Sequence, residues 1–174
     1  MYSFSRDINK YATIVSEIKE LTKNIPTEKQ QISNLHISIE LANIHRGNRE
    51  FATALEILDQ VEENINKCKD NGIFENADSP YEYPILMSHM LTIRALVYGM
   101  GLTGDINYKI KALEYCDEAF DFAVQAGDIT RKASILNSKG LIICQLVERN
   151  LSLLQEASNI LNDSLLLSSQ IQDT

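Results

Sequence analysis

The sequence contains no tryptophan, and its seven glycines and three prolines are few for a chain of 174 residues. Because glycine and proline interrupt helices most strongly, their scarcity favours long, uninterrupted helices. No stretch alternates apolar and polar residues for long, so we do not expect strands. A chain of this length suffices for one domain, and it can bury roughly 70% of the surface that it exposes when unfolded.

Cysteine is also scarce, with only Cys68, Cys116 and Cys144. The number is odd, no C-x-x-C occurs and the N-terminus does not resemble a signal peptide, so we expect a reducing, cytoplasmic environment. The longest apolar run, residues 85–102, is interrupted by Ser, His, Thr and Arg. This run predicts a buried helix and not a membrane span.

Positive charge is in the minority, with 16 basic against 24 acidic residues and a net charge of −8. No run of Lys or Arg could neutralise a phosphate backbone or an anionic membrane surface, so we expect neither as a partner. A basic or amphipathic protein partner suits the charge better.

Helical spacing of apolar residues runs through almost the whole chain. Gly47-Asn48 indicates one helix break, and Gly127 followed by Asp128 indicates a C-cap and an N-cap. We predict helices over residues 6–23, 27–46, 49–69, 84–98, 108–125, 128–147 and 151–170. The fourth has a second possible start at Ser79-Pro80, with proline at the first helical position.

The chain repeats itself. ALEILD at residues 54–59 returns as ALEYCD at residues 112–117, and an Ala followed four residues later by an apolar residue recurs at Ala157. Each of these alanines follows a small residue in the preceding predicted helix; these small residues are Ala42, Ala95 and Gly140. Small residues let two helix backbones approach closely. The pattern therefore predicts three helix pairs after a leading helix.

This pattern resembles the tetratricopeptide (TPR) superfamily, whose repeats place a small residue in the first helix and Ala-x-x-x-Phe in the second. The counterparts are Leu41-Ala42-x-x-His45, Arg94-Ala95-x-x-Tyr98 and Lys139-Gly140-x-x-Ile143, followed by Ala54-x-x-x-Leu58, Ala112-x-x-x-Cys116 and Ala157-x-x-x-Leu161. The 45-residue spacing from Ala95 to Gly140 resembles the long-helix kind of this repeat, and residues 119–142 carry the likeness best.

The resemblance implies an all-α fold: a right-handed superhelical stack of three TPR-like hairpins and one N-terminal helix, about seven helices in a single domain over residues 1–174. The N-terminal helix would span residues 6–23, and the repeats would span residues 27–70, 80–127 and 128–174.

The resemblance further implies a non-catalytic module that binds an extended peptide or a helix, as a scaffold, adaptor or sensing segment. First helices line the concave groove of such a stack. The implied groove residues are His36, Ile39, Asn43, His89, Thr92, Leu96, Ser134, Asn137 and Leu141.

The predicted last helix has no successor to cover its apolar residues Leu165, Leu166 and Ile171. We therefore expect either a homodimer through this C-terminal helix or a further domain downstream in a longer protein.

Two alternatives stay open. Some small, acidic TPR proteins are dedicated chaperones for a secreted or basic partner, although the 45-residue period argues against that here. Gly99, Gly101 and Gly104 also form a literal G-x-G-x-x-G, which in a nucleotide-binding protein would follow a short strand. The apolar run before them is too long for a typical strand, and the other interpretation is a turn between two helices.

Nothing in the sequence indicates an enzyme, a metal site or a bound cofactor. The histidines His36, His45 and His89 show no i,i+4 pair, and no ligand set surrounds them. No motif anchors a nucleophile to a base.

Overall fold

The computed structural model describes residues 27–76, 79–102, 105–146 and 151–172. Within these ranges the chain is helical and has no strand, so the prediction of an all-α fold is confirmed. The predicted N-terminal helix over residues 6–23 lies outside the described residues.

Six α-helices occupy the described ranges. They are α1 (Thr27–Gly47), α2 (Phe51–Asp70), α3 (Glu82–Leu96), α4 (Ile106–Gln125), α5 (Ile129–Leu146) and α6 (Leu151–Gln172). A short 3-10 turn, Ile73–Asn76, follows α2, and a π-helical turn, Val97–Gly101, follows α3. Because breaks and caps are encoded locally, the corresponding six predicted helices lie close to these bounds.

Helix α3 begins between the two starts that the sequence suggests, Ser79-Pro80 and Pro84. It starts at Glu82, so that Pro84 is its third residue. The first four N–H groups of a helix have no partner within it, so a proline in this turn removes no intrahelical hydrogen bond.

The chain divides into two compact units, Met1–Pro80 and Tyr81–Thr174. In the first unit, α1 packs against α2. In the second unit, α3 packs against α4, α4 against α5 and α5 against α6. Successive helices thus pack against each other within each unit, whereas the three repeated pairs, the superhelical stack and the single domain over residues 1–174 stay predictions.

The turn between α4 and α5 has the predicted caps. Gly127 adopts a φ of 67°, in the left-handed region that glycine enters without a steric penalty. Its N–H donates to the carbonyl oxygen of Val124 at 3.0 Å. Asp128 then caps α5, because its Oδ1 accepts from the Arg131 N–H at 2.8 Å.

The small residues of the repeat are buried where helices meet. Ala42, Ala54, Ala95 and Ala112 have no exposed surface. At Gly140, a Cβ atom would lie only 2.6 Å from Leu161 Cδ2, so the Leu161 side chain of α6 packs directly onto the backbone of α5. The close helix packing inferred from small residues is thus present between α5 and α6.

Polar contacts fix the register of α5 against both neighbours. Lys139 pairs with Asp117 of α4, and Lys109 of α4 donates to the Gln145 carbonyl oxygen at 3.3 Å. On the other side, the buried Ser164 hydroxyl of α6 donates to the Ala133 carbonyl oxygen at 2.7 Å. The exposed pairs contribute little free energy, but the buried serine satisfies a hydroxyl that would be costly to leave unpaired.

Candidate partner-binding site

The three groove residues predicted on α1 differ in what they offer a partner. Ile39 is fully buried, because it continues the core stripe of Leu35 and Ala42, so it offers a partner no surface and its place in a groove stays a prediction. His36 is half-buried. Asn43 accepts from Arg46 Nη2 at 2.9 Å and donates to Glu40 at 3.4 Å, so its carboxamide already bonds within its own helix.

The residues predicted on α3 are mostly closed to a partner as well. His89 and Thr92 are buried, and Leu96 is half-buried. The Thr92 hydroxyl donates to the Ser88 carbonyl oxygen at 2.7 Å. Residues Leu86 to Ala95 are all buried, so this stretch of α3 has no open face, and the groove surface at His89 and Thr92 stays a prediction.

The residues predicted on α5 are open. Ser134, Asn137 and Leu141 are exposed, and their i, i+3, i+7 spacing places them on one face of the helix. They are the part of the predicted groove surface that a partner could reach directly.

A cleft of about 560 Å³ lies between α5 and α6. Its lining consists of Thr130, Ala133, Ser134 and Asn137 on α5 and of Leu161, Ser164, Leu165, Ser168 and Ile171 on α6. It brings together two sets that the sequence suggested separately: Ser134 and Asn137 from the predicted groove, and Leu165 and Ile171 from the predicted self-association end.

The two walls of this cleft differ in polarity. On α5, Asn137 makes no side-chain hydrogen bond to any residue of the described ranges. On α6, Leu165 is 74% exposed, and Leu166, which does not line the cleft, is 63% exposed beside it. Leu165 thus places exposed apolar surface at the edge of the cleft.

Packing explains the first glycine of the G-x-G-x-x-G motif. Gly99 lies in the π-helical turn after α3, so a helix and not a strand precedes it. A Cβ atom at Gly99 would lie 2.6 Å from Ile142 Cγ1 and 3.1 Å from the Ala112 methyl group. The space beside the glycine is therefore filled by side chains, and Gly104 lies outside the described residues.

A cluster of tyrosines and cations on α3, the π-helical turn and α4 was not predicted. The ring centroids of Tyr98 and Tyr115 are 5.5 Å apart, and Tyr108 lies 6.0 Å from Tyr98. Lys111 Nζ lies 5.2 Å from the Tyr98 centroid, and Arg94 Cζ lies 5.7 Å from that of Tyr115. Tyr115 and then Tyr98 raise the pKa of Lys111. The sequence does contain a signal for this cluster: Tyr108, Lys111 and Tyr115 are spaced i, i+3, i+7, which places them on one face of α4.

This cluster clamps the π-helical turn onto α4. Lys111 and Arg94 of the chain itself lie over its rings, so we interpret the cluster as a contact that stabilises the fold.

Neither a metal cluster nor a membrane helix is found in the described ranges. No group of three or more His, Cys, Asp or Glu side chains is placed there to hold a metal ion. No helix among the described residues combines the length and the apolar character needed to cross a membrane.

Comparison with protein-family models, with curated proteins and with solved structures found no match to this chain.

Proposed function

We propose that the chain is a non-catalytic, TPR-like protein-binding module, and that the cleft between α5 and α6 receives an amphipathic helix of a partner protein. The observation that carries the proposal is the meeting of exposed Leu165 with Ser134 and Asn137 in one cleft. The larger apolar side chains of the cleft, Leu161, Leu165 and Ile171, all lie on α6, and they face hydroxyl and amide groups on α5. This arrangement suits a ligand that is apolar on one side and polar on the other.

Charge favours a basic partner over a second copy of this chain. Helix α6 contains no lysine or arginine, and its Glu156 and Asp163 are exposed. Two copies packed through α6 would bring these carboxylates towards each other, whereas a basic helix would meet opposite charge. The proposed partner is therefore a helix with leucine-like anchors on one face and lysine or arginine on the other.

The test compares two neighbouring leucines. Leu165→Gln removes apolar surface inside the cleft, and Leu166→Gln makes the same change beside it. We expect Leu165→Gln to weaken binding of a synthetic Leu/Lys amphipathic helix at least tenfold, since burying a leucine contributes about 1.5–3 kcal/mol. The Leu166→Gln variant should bind within about threefold of wild type, which is below 1 kcal/mol. Fluorescence anisotropy measures both dissociation constants.

A peptide of the same composition with its amphipathic period scrambled serves as the ligand control. Equal binding of both peptides would reduce the interaction to net charge and contradict the proposal. Light scattering over a concentration series completes the test: a dimer that Leu166→Glu dissociates would show that the exposed face of α6 joins two copies of the chain instead.

A further inference from the structure

A second cleft lies in the first unit, between α1 and α2, and has a volume of about 330 Å³. Its floor consists of the buried side chains Leu35, Cys68 and Ile73. Its walls consist of Gln31, Asn34 and Ser38 on α1, and of Asn64 and Lys67 on α2 together with Asn71, the C-cap of that helix. The volume lies at the lower end of the range found for ligand sites.

The repeat relates this cleft to the one between α5 and α6. Leu35 precedes Ala42 by seven residues, as Ala133 precedes Gly140, and all four belong to first helices of the repeated pairs. Likewise, Cys68 follows Ala54 by fourteen residues, as Ile171 follows Ala157. Both clefts thus lie where the first half of one helix faces the second half of the next. They differ in their walls: the α6 wall combines leucine and isoleucine with Ser164 and Ser168, whereas both walls here are polar.

The two walls have the same spacing. Gln31, Asn34 and Ser38 are related as i, i+3, i+7, and so are Asn64, Lys67 and Asn71. Each set forms one row along its helix, about 10 Å long at 1.5 Å per residue. An extended peptide advances roughly 3.3 Å per residue, so each row matches about three residues of such a chain.

The chemistry of the walls is that of the peptide group. The carboxamides of Gln31, Asn34, Asn64 and Asn71 make no side-chain hydrogen bond to any part of the chain that the structure describes. A carboxamide both donates and accepts, as a main-chain amide does. Lys67, the one charged side chain in the lining, pairs with Glu63 at 2.6 Å.

Other ligand classes fit less well. A phosphate or carboxylate would require uncompensated basic groups, and a metal ion would require carboxylates, but the lining provides neither. A nucleobase would require an aromatic side chain for stacking, and none lines the cleft. We propose that this cleft binds an extended, uncharged peptide segment through its main-chain amides. The inference is independent of the function proposed for the cleft between α5 and α6.

The experiment uses the full chain and a terminally blocked hexapeptide of threonine and valine, with a backbone N-methylated copy as the ligand control. Asn64→Leu removes a carboxamide from the wall, and Asn66→Leu makes the same change at an exposed position of α2 outside the cleft. Side-chain NH₂ resonances of Asn34 and Asn64 in a ¹⁵N–¹H spectrum report occupancy.

We expect the hexapeptide to shift these resonances in wild type and Asn66→Leu, and to bind Asn64→Leu at least tenfold more weakly. The N-methylated copy should shift neither resonance, and Leu165→Gln should leave this binding unchanged. The proposal would be overturned if the N-methylated peptide bound as tightly as the hexapeptide, or if Asn64→Leu and Asn66→Leu bound the hexapeptide equally. It would also be overturned if millimolar hexapeptide shifted neither resonance. A single-stranded oligonucleotide that produces the same shifts would overturn it as well.

Discussion

Replacing Gly140 with valine is expected to lower the free energy of unfolding by about 3 kcal/mol. A Cβ atom at this position would lie 2.6 Å from Leu161 Cδ2 and 2.7 Å from Leu161 Cγ, so the leucine would have to leave its place between α5 and α6. Better helix propensity offsets only part of this, since glycine costs at most about 1 kcal/mol in a helix. Urea denaturation measures the change.

Two further variants decide whether the cause is the predicted clash. Gly47, the last residue of α1, has no atom within 4 Å of a Cβ position, so Gly47→Val should change stability by less than about 1 kcal/mol. Combining Gly140→Val with Leu161→Ala should cost less than the sum of the two single changes, because the alanine removes the clashing atoms. Additive effects would show that Gly140 and Leu161 do not act on each other.

The helices could be predicted because their limits are set locally. Gly127 and Asp128 fixed one turn through a left-handed C-cap and a side-chain N-cap, and both are present. Gly140 was also interpretable, because a small residue at a repeated position predicts close helix packing, and Leu161 occupies the space it leaves. Each of these features depends on a few neighbouring residues or on one helix pair.

The surface open to a partner was harder to predict. Helix α3 carries apolar residues on all sides, so its periodicity could not show which side was free, and the repeat alignment assigned His89 and Thr92 to a groove although both are buried. The cleft depends on the register of α5 against α6, which brings Ser134 beside Leu165 from thirty-one residues away. Sequence periodicity assigns a face to each helix but does not set that register.

The tyrosine cluster could not be predicted for a different reason. Tyr98 meets Tyr115 in a stretch where α3 passes into a π-helical turn, closed by the Leu102 N–H donating to the Val97 carbonyl oxygen at 3.0 Å. The sequence predicted that α3 would continue regularly to Tyr98. In a π-helical turn the hydrogen bond joins residues five apart, against four in an α-helix. The side chains that follow therefore point in other directions than a regular α-helix would give them.

The thiol of Cys116 should react far more slowly than that of Cys144. Burial raises the pKa of Cys116 from 9.0 to about 12, whereas Cys144 is exposed. The thiolate is the form that reacts. Raising the pKa from 9.0 to about 12 lowers the amount of Cys116 thiolate at pH 8 about a thousandfold. Iodoacetamide labelling followed by peptide mass spectrometry should show much slower labelling of Cys116 than of Cys144 in the native chain, and near-equal rates in urea. Comparable native rates would contradict the burial of Cys116 in α4.

The same shift predicts a loss of stability at high pH. Below pH 9 the Cys116 thiol is protonated in both the folded and the unfolded chain, so its contribution is fully present. Between pH 9 and about 12 the unfolded chain ionises first, and up to ~4 kcal/mol of stability is lost. Tyrosines and lysines titrate in this window too, so the test is a difference: Cys116→Ala should flatten the alkaline decline measured by urea denaturation, whereas Cys144→Ala should not. Parallel pH profiles for wild type and Cys116→Ala would show that ionisation of this thiol is not linked to folding.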